Sequence, residues 1–257
     1  MQRVIRSDIQ GLHAYAVQPS AGLVKIDTME NPHRLPPALQ QALGERLGRV
    51  AINRYPAERS DDLKAALAAH AQLPEGNALM LGNGSDELIT LLSLACALPG
   101  AVFMSPLPSF VMYGLSAALQ GLRFVGVPLR ADFELDEAAL LAAIHTEKPA
   151  LLYLAYPNNP TANLWDSGVI ERLIEAVGQH HGLVVMDEAY QPFAERDSMD
   201  RLHPAPAPAP CWPGWGRAAR RVDRSVAPVK ARVRCRSARP DGGTRPHAPA
   251  QTGRLRH

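Results

Sequence analysis

The sequence predicts an α/β fold built on a mostly parallel sheet with helices on both faces. Three observations carry that expectation. Short apolar runs recur at 101–104, 122–128, 150–155 and 183–186, and segments of helical periodicity at 109–119, 136–145 and 167–180 separate them. A strand, a Gly-rich turn and a helix follow one another directly over 78–97. Before these, 36–49 and 60–71 place Leu39, Leu43 and Leu47, and then Leu63 and Leu67, at helical spacing. Both segments read as surface-packed helices, with Ser60 ahead of Asp61 and Asp62 as a cap. The strand Ala78–Leu81 runs into Gly82-Asn83-Gly84-Ser85-Asp86-Glu87 and then the helical Leu88–Ala97. Strands that are apolar on every residue must be covered on both faces, and ligands of such sheets sit at the carboxyl ends of the strands.

Composition narrows the class. The 257 residues are 46% hydrophobic and 20% charged with a net charge of +2, which excludes a chain disordered or fibrous throughout. The longest apolar run, Leu88–Leu98, contains Thr90 and Ser93 and stops at Pro99-Gly100, short of the roughly 20 residues a bilayer span needs. Residues 1–10 carry Arg3, Arg6 and Asp8 and no apolar stretch of a secretory signal, so a cytoplasmic location is expected. Cys96, Cys211 and Cys235 are too few and too scattered for a disulfide framework or a zinc site and read as free thiols.

The average conceals a break near residue 203. Residues 203–257 hold nine Pro, eleven Arg, one Lys and only two acids, a local charge of +10 that leaves −8 on the first 202. With one Leu and no Ile, Met, Phe or Tyr, this segment cannot offset its chain entropy by burial, and an unstructured tail is expected. Clustered Arg fits an arm for nucleic acid or an anionic surface. A solvated tail, or the Arg-, Ala- and Pro-rich product of a shifted reading frame in a GC-rich gene, fits as well. The expected organisation is an arm at 1–35, a large domain at 36–202 and the tail at 203–257.

Four strand-end segments could carry chemistry. Tyr156-Pro157-Asn158-Asn159-Pro160-Thr161 follows the strand Leu151–Ala155, and such a turn can fix a side-chain amide at the sheet edge or be an ordinary turn. Val184-Val185-Met186-Asp187-Glu188-Ala189-Tyr190 ends an apolar strand on a desolvated carboxylate, which requires a partner. The protonated ring nitrogen of a cofactor, a structural salt bridge and a metal all meet that need. Gly82–Glu87 opens a helix whose free N–H groups and the Ser85 hydroxyl could cradle a phosphate. It matches neither Gly-rich phosphate fingerprint, and a tight turn capped by Ser85 or Asp86 is the alternative. Pro106–Tyr113 sets Phe110 at a strand end, as a platform for a planar ligand or as part of the core.

In chain order these segments resemble the fold-type I pyridoxal-phosphate aminotransferases, in their class II. Within that family the resemblance is to the branch that exchanges an amino group between histidinol phosphate and 2-oxoglutarate or glutamate in histidine biosynthesis. It spans about residues 5–202 and includes Lys25-Ile26-Asp27, Glu30-Asn31-Pro32, Arg54-Tyr55-Pro56 and Gly84-Ser85-Asp86-Glu87. The resemblance implies pyridoxal phosphate as cofactor, with Asp187 on the pyridinium nitrogen and Asn159 and Tyr190 on the phenolic oxygen. It implies Phe110 stacked on the ring, and Ser85 and Asp86 giving backbone donors to the phosphate. It further implies a homodimer in which Tyr55 reaches the phosphate of the neighbouring subunit, and Tyr15 lying over the substrate. Related enzymes of the same fold, a threonine-phosphate decarboxylase or an aromatic aminotransferase, are the alternative.

The chain departs from that pattern at one decisive place. The family's Schiff-base lysine stands roughly thirty residues after the strand-end Asp, in a Ser-x-x-Lys pattern. Here the lysines are Lys25, Lys64, Lys148 and Lys230, and residues 212–222 contain none. Lys230 lies 43 residues after Asp187, with Ala227 in place of the Ser and Ala231-Arg232-Val233 in place of a Gly-rich continuation, so it receives no catalytic role. The small C-terminal domain of the family has no counterpart, and the resemblance stops where the composition shifts. A chain frame-shifted after about residue 202, a remnant without transaminase activity, is therefore expected. Smaller departures are Met29 before Glu30-Asn31-Pro32 and Ala162 after Thr161, where the family has Asn and Gly.

Overall fold

The computed structural model describes residues 4–12, 21–24, 31, 33–55, 60–70, 73 and 79–194, with the strands 221–223 and 231–234. It divides into two units, 1–72 and 73–257. The first holds α1 (Ser7–Gln10), α2 (Pro37–Leu47) and α3 (Ser60–His70). Proline at the start of α2 needs no hydrogen-bond acceptor there, and its fixed φ suits the first turn. The expectation that Leu39, Leu43 and Leu47 are packed is corrected: all three are exposed, and α2 buries no residue. Ser60 is the first residue of α3 rather than a position before it.

The second unit is the predicted sheet. Its elements in order are β1 (Leu79–Leu81), α4 (Ser85–Ala95), β2 (Val102–Leu107), α5 (Met112–Leu119), β3 (Arg123–Pro128), α6 (Glu137–Glu147), β4 (Leu151–Ala155), α7 (Ser167–Gln179), β5 (Leu183–Asp187), the 3-10 turn Gln191–Phe193, β6 (Arg221–Asp223) and β7 (Ala231–Arg234). The strand order is β1-β6-β7-β5-β4-β2-β3. Strands β2, β3, β4 and β5 pair in parallel, as does β1 with β6, while β7 runs antiparallel to β5 and β6. Helix α4 begins three residues earlier than its apolar run, because the Gly-rich turn feeds straight into it, and α5 begins three residues later than expected.

The tail differs from expectation at seven residues, which form β6 and β7. Strand pairing draws on backbone N–H and C=O groups, which apolar-poor sequence still supplies, and Ala231-Arg232-Val233-Arg234 has the period of two that a strand uses. The rest of 203–257, with Cys211 and Cys235, lies outside the described residues.

Alternation along the strands sorts the core onto two faces. Leu152 and Leu154 of β4 and Val184 and Met186 of β5 pack with Leu140 and Ile144 of α6 and Ile170, Leu173 and Val177 of α7. Leu151 and Tyr153 of β4 and Val185 of β5 pack on the other face with Leu88, Ile89 and Leu92 of α4 and Tyr113 and Ala117 of α5. The apolar runs are continuous because each strand serves both clusters. Helices α6 and α7 begin alike: Asp136 accepts from the Ala139 N–H at 2.9 Å, and Asp166 from the Val169 N–H at 2.9 Å. Cys96 ends α4 as a free thiol, and burial pushes its pKa up to about 11, which keeps it protonated and unreactive at neutral pH. Among the described residues no helix is long and apolar enough to cross a membrane.

Two stability measurements check this packing. A Cβ on Gly182 would stand 2.3 Å from the Pro149 carbonyl oxygen and 2.7 Å from Val177 Cγ1. Because the first obstacle is backbone, Gly182→Ala should destabilise by about 2–3 kcal/mol in denaturant unfolding. Asp136→Ala removes one cap bond and should cost about 1 kcal/mol in the same assay.

Candidate active site

The parity that sorts the core also aims the strand-end groups. Asp187 is two residues beyond Val185 on β5, so its side chain leaves the sheet on the α4 and α5 face. It is only 5% exposed. Its Oδ2 accepts a hydrogen bond from the Tyr113 hydroxyl at 2.8 Å, and its Oδ1 accepts from the Ala189 N–H at 3.1 Å. Its backbone carbonyl accepts from the Tyr156 N–H at 2.8 Å, which ties the exit of β4 to the exit of β5. A phenol and a backbone amide are thus among its partners, and both stabilise a desolvated carboxylate. Among the described residues no group of three His, Cys, Asp or Glu is placed to hold a metal ion.

Tyr113 is fully buried. Its ring lies stacked on Tyr153, centroids 4.5 Å apart and planes 5° apart, and meets the ring of Phe110 edge-on at 5.7 Å and 85°. Tyr153 in turn shares a hydrogen bond of 3.1 Å with Ser93 of α4. Burial first, and then the Asp187 charge, holds the Tyr113 phenol well above its ordinary pKa, so it stays a donor. Phe110 is half-buried against this cluster at the exit of β2.

The turn after β4 is closed by Asn158. Its Nδ2 donates to the Pro108 carbonyl at 3.1 Å and to Thr161 Oγ1 at 2.7 Å, so one side chain links this turn to the loop that carries Phe110. Its N–H donates to the Asn163 carbonyl, and Thr161 bonds the Asn163 side chain. Asn158 Oδ1 and Ser109 Oγ, on the two linked loops, are buried with no hydrogen-bond partner among the described residues. Leu107-Pro108, Tyr156-Pro157 and Asn159-Pro160 are cis. Asn159 is half-buried in the same turn. Sequence reasoning chose Asn159 and missed Asn158; the doubled Asn was the available signal, and it could not say which amide closes the turn.

The third component is the start of α4. Gly84 is the boundary residue at φ +92°, a conformation that favours glycine, and no side chain caps the helix. Ser85 and Asp86 therefore stand inside the first turn, which corrects their reading as caps. There the backbone N–H groups have no acceptor four residues back and point along the axis, where they favour an anion. Gly82 lets the chain pass Leu88: a Cβ there would lie 2.6 Å from Leu88 Cγ. The Glu87 carboxylate accepts from the Asn83 N–H and closes the turn. Asp86 stands close enough to Tyr113 for its charge to raise the phenol.

Tyr190 is half-buried just after β5, its ring 6.5 Å from Phe193. The second unit thus brings Ser85, Asp86, Phe110, Asn159, Asp187 and Tyr190 to the strand exits and helix start on which the sequence predicted a site. Tyr55 belongs to the other unit and is 95% exposed. Tyr15 lies outside the described residues.

Known proteins resemble this chain in sequence and in fold. A histidinol-phosphate aminotransferase of Methylibium petroleiphilum is 69% identical over 202 residues, which are 79% of this chain and 54% of the relative. One of Polaromonas naphthalenivorans is 63% identical over 202 residues, 79% of this chain and 55% of the relative. The chain therefore spans about half the length of the curated relatives it matches. The crystal structure of histidinol-phosphate aminotransferase from Sinorhizobium meliloti in complex with pyridoxal-5'-phosphate superposes with a TM-score of 0.62 at 29% identity, over 76% of this chain and 53% of that one. A Thermus thermophilus aspartate aminotransferase shares the fold with a TM-score of 0.59 at 23% identity, over 79% of this chain and 56% of that one. The family model for aminotransferase class I and II matches residues 22–214. With that match covering well over half its length, the chain belongs to the class I and II aminotransferases.

Proposed function

We propose that the chain carries the cofactor-binding part of a pyridoxal-phosphate transaminase. Its reaction is the exchange of an amino group between histidinol phosphate and 2-oxoglutarate or glutamate in histidine biosynthesis, in a cytoplasmic homodimer. The observation that carries this reading is Asp187, a buried carboxylate at the exit of a parallel strand, beside an aromatic platform and near a helix start. The residues fit the cofactor. A buried carboxylate that accepts from two donors suits a protonated pyridine nitrogen, the first turn of α4 suits a phosphate, and Asn158 Oδ1 and Ser109 Oγ are buried polar atoms short of a partner among the described residues.

When bound, pyridoxal phosphate supplies an electron sink for the charge left as the substrate's α-proton departs. Asp187 would keep a proton on the ring nitrogen and so maintain that sink. Phe110 would cover one face of the ring and exclude water from it. Asn159 and Tyr190 would orient the ring through its phenolic oxygen. The backbone N–H groups of Ser85 and Asp86 would hold the phosphate, with Tyr55 of the partner subunit, whose exposure leaves it free to reach a second chain. Tyr15 would lie over the substrate.

The proton-transferring lysine of the family is the missing part. Lys148 is exposed at the C-cap of α6, ahead of β4, whereas Asp187 is at the far end of β5 beside Ala155. The length of β4 alone separates the two sheet edges by about 16 Å. Lys64 is on α3 of the other unit, and Lys25 and Lys230 lie outside the described residues. Because no Ser-x-x-Lys segment follows Asp187 in the sequence, the reading for the 257-residue chain is cofactor binding without covalent attachment and without transamination.

Titration of the chain with pyridoxal phosphate should show saturable, reversible binding that borohydride does not convert to a stable adduct. Asp187→Ala should weaken it at least about tenfold, the loss expected from removing one buried ionic partner. A borohydride-stable lysine adduct would overturn the assignment of no covalent link. The substrate is tested in a histidine-requiring strain that lacks histidinol-phosphate transamination. The gene as it stands should not restore growth without histidine, and a version with the alternative frame opened after codon 202 should. Failure of the opened version would remove histidinol phosphate as the substrate.

A further inference from the structure

We infer that Tyr113 is a positioning residue for Asp187, its hydroxyl holding the carboxylate in one orientation and in its charged form toward the cofactor ring. The inference rests on the cofactor reading above and extends it to a residue outside the expected contacts.

The geometry excludes a purely packing role. Tyr113 is fully buried, and an aromatic ring there would fill the space as well without a hydroxyl. A buried hydroxyl is costly unless it finds an acceptor, and this one donates to Asp187 Oδ2 at 2.8 Å, across 74 residues of sequence. With the Ala189 N–H on Oδ1 at 3.1 Å, each carboxylate oxygen has its own donor, and the plane of the group is set from two sides. The ring that carries the hydroxyl is itself fixed, by the stacked Tyr153 and the edge-on Phe110. One residue therefore couples the ring platform to the carboxylate.

Among the described residues the charges that act on the Tyr113 phenol are of one sign. Asp86 faces Tyr113 from α4, Tyr153 from β4, and Asp187 from β5; Cys96 acts on Tyr153 from the end of α4. Asp86, Tyr153 and Asp187 each oppose loss of the Tyr113 proton, so its hydroxyl remains a donor. A donor to the charged form favours that form, and its removal must raise the pH at which Asp187 takes up a proton.

The test is a 13C NMR titration of the full chain labelled at the aspartate carboxyl carbons, with Asp187 identified by its loss in Asp187→Asn. Tyr113→Phe should raise the Asp187 midpoint by about one pH unit. Tyr153→Phe removes a neighbouring hydroxyl that bonds Ser93 and should leave the midpoint in place. In parallel, Tyr113→Phe should weaken pyridoxal phosphate binding by about tenfold, comparable to the loss of one hydrogen bond to a charged group. An unmoved midpoint in Tyr113→Phe, or an equal rise in Tyr153→Phe, overturns the inference. A chain that shows the midpoint rise but binds no pyridoxal phosphate overturns the cofactor reading and leaves the hydrogen bond's effect on Asp187 standing.

Discussion

A carboxylate taken out of water governs this molecule. Asp187 ends an apolar strand at 5% exposure, and an ion so placed persists only where donors replace its hydration. Its donors Ala189 and Tyr113 come from different depths of the fold: the Ala189 amide is local to the turn, and the Tyr113 phenol belongs to a helix. Holding the phenol in reach requires α5 to sit on the sheet, which requires Tyr153 and Phe103 beneath it and Leu88 and Ile89 of α4 beside it. The core on that face is therefore also the support of the site.

The same logic explains the loops. The exits of β2 and β4 have no ladder to hold them together, and the Asn158 amide takes over that task with a bond to each loop. Trp165 does the same further out, its Nε1 donating to the Phe133 carbonyl at 3.1 Å beside the Asn163 amide at 2.8 Å. Asn158 and Trp165 thus each span two segments rather than decorating one.

Much of this was legible in the sequence for a definite reason. Strands of uninterrupted apolar residues, such as Leu151–Ala155 and Leu183–Met186, have only one arrangement that covers both sides, and helical spacing between them supplies the cover. Asp187, Phe110 and Ser85 stood out because each is a polar or ring-bearing residue at the end of such a run. Tyr113 did not, because a tyrosine within a helical apolar pattern reads as core, and only the fold reveals the carboxylate 74 residues away. Asn158 was hidden by its twin. The helix of Leu39, Leu43 and Leu47 showed the opposite failure: its spacing is right for packing, yet the structure leaves those residues exposed. The strands of the Arg-rich segment were missed because backbone pairing leaves little mark on composition.

The split of the core into two clusters has a consequence for how such a chain can drift. On the α6 and α7 side, Leu140, Ile144, Ile170 and Leu173 belong to a cluster that holds none of Phe110, Tyr113 and Asp187, so exchanges that preserve volume there trade stability alone. On the α4 and α5 side the residues that fill space are the same ones that aim Asp187. Change is thus cheap on one side of a single sheet and constrained on the other, and a lineage freed from selection for chemistry should gain on the side of Tyr113 the tolerance that the other side already has.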